Sequence, residues 1–137
     1  MKAFIDTSSL MKKYVDEKGS DELDSLLKKI TDIIVSPIYN LEVHSAIERR
    51  LKDNTLTLKE ASFIREEIKK DYQYFSKIIW NNNLEEKSLQ MIGTYSLRTL
   101  DSIQLASACL SNADVFITSD EGLLGPAKKE LKNVRFL

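Results

Sequence analysis

Four acids stand out by where they fall in the chain. Asp6 ends the apolar run "AFI", and Asp120 ends "VFITS". Asp101 opens the helical stretch "DSIQLASA", and Glu42 lies one to two turns into the stretch after a further apolar run, "DIIVS". Each has a plain local role. An Asp caps a helix N-terminus, and an acid in a first helical turn favours the helix dipole. Asp6 can cap a helix starting at Ser8 or Ser9, and Glu42 alone reads as a solvated helix residue. If the four converge, the reading changes. Crowded carboxylates repel and raise one another's pKa values, and a divalent cation removes that penalty. Hard oxygen ligands without thiol or imidazole clusters select Mg²⁺ or Mn²⁺. Such a cation, held by one or two carboxylates and by substrate phosphate oxygens, suits phosphodiester hydrolysis by an activated water.

The elements that must position these acids follow from local pattern. "AFI", "DIIVS" and "DVFITS" are short buried strands, "NVRFL" a further short one, and "SKIIW" a short strand between them. "SLMKKYVDEKG" has apolar residues at helical spacing up to Gly19, and Ser20 is placed to cap "DELDSLLKKI". Ser36 and Pro37 suit the N-cap and first turn of a helix whose buried side takes Leu41, Val43, Ala46, Ile47 and Leu51. Thr57 and Glu60 have capping-box spacing and open a helix to about Tyr74. Asn83 is placed to cap "LEEKSLQMIGTYSL", and "DEGLLGPAKKEL" reads as an interrupted helix. Strands alternating with helices predict an α/β sandwich with a mostly parallel sheet. Its site lies beyond the carboxyl ends of the strands, where Asp6 and Asp120 share an edge.

Composition narrows the class. A chain of 137 residues, 42% hydrophobic, suits one domain spanning 1–137. A net charge of −1 is unlike a basic nucleic-acid binder, so any such partner must meet local cations or metal ions. One cysteine, Cys109, excludes an internal disulfide, and one histidine, His44, excludes a multi-histidine centre. No run is long enough to span a bilayer and the start does not read as a signal peptide, so a cytoplasmic protein is expected.

Taken in order, "FIDTSSLMKKYVDEKGSDEL", "SPIYNLEVHSAI", "LRTLDSIQLASA" and "FITSDEGLL" resemble the PIN-domain ribonucleases, and among them the VapC-type toxins of toxin–antitoxin pairs. The resemblance covers essentially the whole chain. It implies a three-layer α/β/α sandwich with a roughly five-stranded sheet. It implies metal-binding acids at Asp6, Glu42, Asp101 and Asp120, with Thr118 as a supporting hydroxyl and Thr7 and Ser8 at the small hydroxyl positions. It further implies a Mg²⁺- or Mn²⁺-dependent endoribonuclease leaving a 5′-phosphate and a 3′-hydroxyl, a homodimer, and a cognate antitoxin occupying the active-site groove. The chain departs from the commonest pattern after the last acid, where "EGLLG" stands in place of a basic residue.

Phosphate contacts are sought among nearby cations: Lys12 and Lys13, Arg49 and Arg50, and above all Arg98, just before Asp101. Two readings compete with the nuclease. One is a PIN-fold RNA- or protein-binding module with weak or no catalysis. The other is an aspartyl-phosphate domain on Asp6, disfavoured because position 8 is Ser rather than a second Asp.

Overall fold

Successive residues of the apolar runs face opposite sides of one sheet, and both sides are covered. The computed structural model describes residues 1–137. Its elements are β1 (Lys2–Ile5), α1 (Thr7–Tyr14), α2 (Ser20–Leu27), β2 (Asp32–Val35), α3 (Tyr39–Lys52), α4 (Leu58–Tyr72), β3 (Ser76–Lys77), α5 (Asn82–Tyr95), α6 (Thr99–Leu110), β4 (Val115–Thr118), α7 (Glu121–Glu130) and β5 (Val134–Phe136). The sheet order is β3-β2-β1-β4-β5, and every pairing is parallel. Ala3 and Ile5 of β1, with Val115 and Ile117 of β4, join the core formed with α1, α3 and α4. Phe4 and Phe116, paired in register with rings 5.7 Å apart, join the opposite core with α5, α6 and α7. Burial on both faces is the expected state of a parallel sheet, and it explains why these runs read as continuous rather than alternating.

β1 pairs with β2 on one side and β4 on the other, so the chain order reverses at β1. This is the switch point at which an open parallel sheet leaves a crevice beyond its carboxyl ends. Asp6 leaves β1 there, its N–H still bonded to the Ile117 carbonyl at 3.1 Å.

Several helix boundaries differ from expectation. α1 ends at Tyr14, well before Gly19, and Gly19 takes a left-handed φ of 94°. Ser20 is the first residue of α2 rather than its cap, and its hydroxyl closes the preceding loop by accepting from Glu17 N and donating to Val15 O. α3 begins at Tyr39, not at Pro37; Ser36 to Ile38 form a turn. Tyr39 is buried between Tyr72 and Phe75, and that packing sets the start. The buried stripe is then Tyr39, Val43 and Ile47, which turns Leu41 to the outside at 74% exposure. Asn81, not Asn83, caps α5 by accepting from Leu84 N. α6 starts at Thr99, so Asp101 sits in its first turn instead of opening it. α7 runs unbroken past Pro126, anchored by buried Leu123 and Ala127 on either side. β3 is only two residues long.

The Thr57–Glu60 capping box forms as expected, with both reciprocal hydrogen bonds present. Thr57→Ala is expected to cost about 1 kcal/mol, read as a lower urea midpoint at unchanged slope.

Candidate metal centre

A small pocket of about 60 Å³ at the switch point is lined by Asp6, Glu42, Asp101 and Asp120, with Thr7, Ser8 and Gln104 among its other walls. Four elements supply the acids: the end of β1, the first turn of α3, the first turn of α6, and the residue before α7. Larger cavities exist, including one of about 310 Å³ by Cys109, Ala113 and Val115 at the amino end of β4. That one lies at the opposite edge of the sheet from the acids, and chemistry rather than size marks the smaller pocket.

Asp6 is buried, and its two oxygens are both engaged. Oδ1 accepts from the Ser9 N–H at 2.9 Å and the Ser8 hydroxyl at 2.8 Å. Oδ2 accepts from the Thr118 hydroxyl, which is itself fully buried. Asp6 is thus the N-cap of α1 as well as a wall of the pocket. Burial pushes its carboxyl above the ordinary value near 3.8, although the hydroxyl and N–H donors oppose the shift.

Glu42 is held by a second set of donors. The Thr7 hydroxyl reaches its Oε1 at 2.9 Å, and the Gln104 amide also donates to Oε1 and to the Thr7 oxygen at 3.2 Å. Thr7, expected as a supporting residue, therefore joins the ends of β1 and α3. Gln104 was missed by the sequence reading. The signal was available, because residues three apart on a helix share a face and Gln104 is three past Asp101. Its Oε1 is buried without a hydrogen-bond partner.

Asp101 is half-buried and its carboxyl is also raised, first by burial and then by the charge of Asp120; Arg98 pulls the other way. Asp120 accepts from Gly122 N at 2.8 Å and so caps α7, while its own N–H donates to the Thr118 hydroxyl at 3.1 Å. Thr118 consequently ties Asp6 and Asp120 to one hydroxyl. The Ser9 and Ser119 hydroxyls, 2.8 Å apart, brace the same junction.

The two cations expected to meet substrate lie outside the pocket lining. Arg98 is exposed at the start of α6, close enough to Asp101 to lower its pKa. Lys12 is turned elsewhere: its ammonium donates to the Lys18 carbonyl at 2.6 Å and pairs with Glu17 at 3.5 Å.

No three acidic, histidine or cysteine side chains are arranged as a ready ligand set. The donor chemistry nonetheless suits a hard cation. The pocket offers oxygens only, two of its carboxyls are raised by burial or mutual repulsion, and the Gln104 oxygen lacks a partner. A Mg²⁺-like ion needs only one or two carboxylates and brings its own waters.

The family model for the PIN domain matches residues 3–129. No curated protein matches the sequence significantly. Among solved structures, a chain of a toxin–antitoxin complex from Klebsiella pneumoniae is 22% identical, with a TM-score of 0.64 over 90% of this chain and 91% of that one. FitAcB from Neisseria gonorrhoeae is 14% identical, TM-score 0.69, over 98% and 96%. VapBC2 from Rickettsia felis, bound to a DNA fragment from its promoter, is 12% identical, TM-score 0.68, over 98% and 97%. At these identities the likeness is one of fold.

Proposed function

The chain belongs to the PIN domain family, and on that premise we propose that it is a Mg²⁺- or Mn²⁺-dependent endoribonuclease, the toxin member of a toxin–antitoxin pair. The observation that carries this reading is the convergence of Asp6, Glu42, Asp101 and Asp120 on one oxygen-lined pocket at the sheet's switch point. Asp6, Glu42, Asp101 and Asp120 would hold the cation. When bound, it would supply charge stabilisation at a phosphate and a more acidic attacking water. The chain's own residues do the positioning. Thr118 and Ser8 fix both oxygens of Asp6, and Thr7 and Gln104 fix Glu42. Arg98, beside Asp101, is the cation best placed to meet an incoming phosphate.

The antitoxin partner is supported by the solved neighbours described as toxin–antitoxin complexes. A homodimer belongs to the same reading. Exposed Tyr74, Ile79 and Trp80 around β3 offer apolar surface for either contact. No helix is long and apolar enough to cross a membrane.

The test is cleavage of RNA with Mg²⁺ or Mn²⁺, abolished by EDTA, together with calorimetric titration of Mn²⁺. Glu42→Gln is expected to weaken Mn²⁺ binding by about tenfold or more, as loss of groups around a metal site does. The absence of a ready ligand set favours one rival, a PIN-fold binding module. Mn²⁺ binding that is absent, or untouched by Glu42→Gln, together with no cleavage, would establish that rival.

A further inference from the structure

A second pocket of about 310 Å³ opens beside the acids, lined by Ile38, Leu41, Glu42, Ser45, Arg49 and Leu100. Glu42 lines both pockets, so the two adjoin. Its size falls in the range of small-ligand sites. Three features of it are not used by the site already described.

First, Arg49 carries a charge that no carboxylate answers. Arg50 pairs with Glu17 at 2.8 Å, Arg135 with Glu22 at 3.4 Å, and Arg65 with Glu48. Arg49 makes none of the ion pairs in the structure. Second, its guanidinium is aimed. Nη1 donates to the Ser45 hydroxyl one turn earlier at 3.1 Å. Glu42 and Arg49 are seven residues apart, so they share a face of α3 about 10.5 Å apart along its axis. Third, Leu41 and Leu100 flank the same pocket from α3 and α6, at 74% and 50% exposure. Single exposed leucines are ordinary. Two on different elements, beside an unpaired arginine, make an apolar slot with one cationic end.

We propose that this pocket is the subsite for the RNA nucleotide next to the cleaved bond, with Arg49 holding its backbone phosphate and Leu41 and Leu100 flanking its base. The inference rests on the ribonuclease reading above. A strand with one phosphate at the acids passes its neighbouring nucleotide over Glu42 and into this slot. Planar base faces suit apolar walls, and a phosphate suits a fork of N–H donors. An acidic peptide satisfies Arg49 but gains nothing from continuity with the acid pocket.

The test uses a short fluorescein-labelled single-stranded RNA, with Asp6→Asn as the background to prevent cleavage. Anisotropy is expected to show about tenfold weaker binding on adding Arg49→Gln. The slope of log affinity against log salt should flatten by about 0.7, the value for one phosphate contact on a single strand. Leu41→Ser, at an exposed site, should weaken binding several-fold without changing that slope. Arg135→Gln, in β5, should change neither. RNA affinity and salt slope left unchanged by Arg49→Gln overturn the subsite, while metal-dependent cleavage by the parent protein leaves the ribonuclease reading standing. A parent that neither binds nor cleaves RNA overturns both. Capture of a poly-glutamate peptide that depends on Arg49, with RNA binding that does not, assigns the pocket to an acidic peptide and overturns the proposal.

Discussion

Asp6→Asn should reduce RNA cleavage on the order of a thousandfold while leaving the fold as stable as before or more so. The first half follows from charge. Stabilisation by a bound cation amounts to several kcal/mol, each ~1.4 kcal/mol is tenfold in rate, and Asp6 is the most buried of the acids that would hold it. The second half follows from the carboxyl itself. Burial raises its pKa even against donors from Ser8, Ser9 and Thr118. A folded state with a raised acid pKa binds more protons than the unfolded chain. Its stability therefore falls as pH rises, from the ordinary value near 3.8 up to the raised value, and stays lowered above it. Asparagine keeps the cap, because its carbonyl oxygen accepts from Ser9 N, and it removes the buried charge. In EDTA the variant should melt at or above the parent at neutral pH, with a flatter dependence of melting temperature on pH. Asp101, raised in the same direction, leaves a residual slope of the same sign. Mn²⁺ should raise the parent's melting temperature and not the variant's. A variant that melts well below the parent in EDTA would show that Asp6 serves the fold as an anion, and that its charge is not held in reserve for a cation.

What could be read in the sequence, and what could not, divides along the range of the forces involved. The three central strands, β1, β2 and β4, were legible because burial leaves short apolar runs with little else able to accommodate them. Their parallel order puts Asp6 and Asp120 on one edge of the sheet. The Thr57–Glu60 box was legible because both partners lie within one turn. The failures are cases where distant packing chose among local options. Three asparagines in a row are equivalent caps until Leu84 is buried, and Asn81 then takes the role. Ser36-Pro37 is a good helix start until Tyr39 wedges between Tyr72 and Phe75 and moves the start to itself. Leu41 lies two residues from both Tyr39 and Val43, so it falls on the far side of α3 from the buried stripe. In the site, the acids were legible by type and position, but the donors that orient them were only partly so. Gln104 reaches Glu42 and Thr7 across 62 and 97 residues. Nothing local to "SIQLA" announces that contact beyond its shared helix face with Asp101.

Thr118 offers the sharpest check on how these acids are held. Its hydroxyl donates to Asp6 Oδ2 and accepts from Asp120 N, and it is fully buried at the end of β4. Thr118→Val keeps the shape and removes the hydroxyl. Asp6 then loses the strongest of the donors that oppose its desolvation, and its pKa should climb further. The Asp120 N–H loses its acceptor as well. A hydrogen bond to a buried charge is worth about 1.5–3 kcal/mol, so the melting temperature should fall by roughly 5–15 °C in a chain of this size. The cost depends on the charge, which makes it separable from ordinary core damage. In an Asp6→Asn background, with the carbonyl oxygen kept on Ser9 N, the amide nitrogen faces Thr118 and donates to its hydroxyl, a neutral bond worth about 1 kcal/mol. A double-mutant cycle should therefore return a coupling of about 0.5–2 kcal/mol between positions 6 and 118. Cleavage should fall too, and its acidic limb should move to higher pH, following the carboxyl that must be ionised. If the cycle returns no coupling, the hydroxyl supports only the β4 terminus. Asp6 would then owe its place to the α1 cap, and the link from Thr118 to both acids would carry no energy.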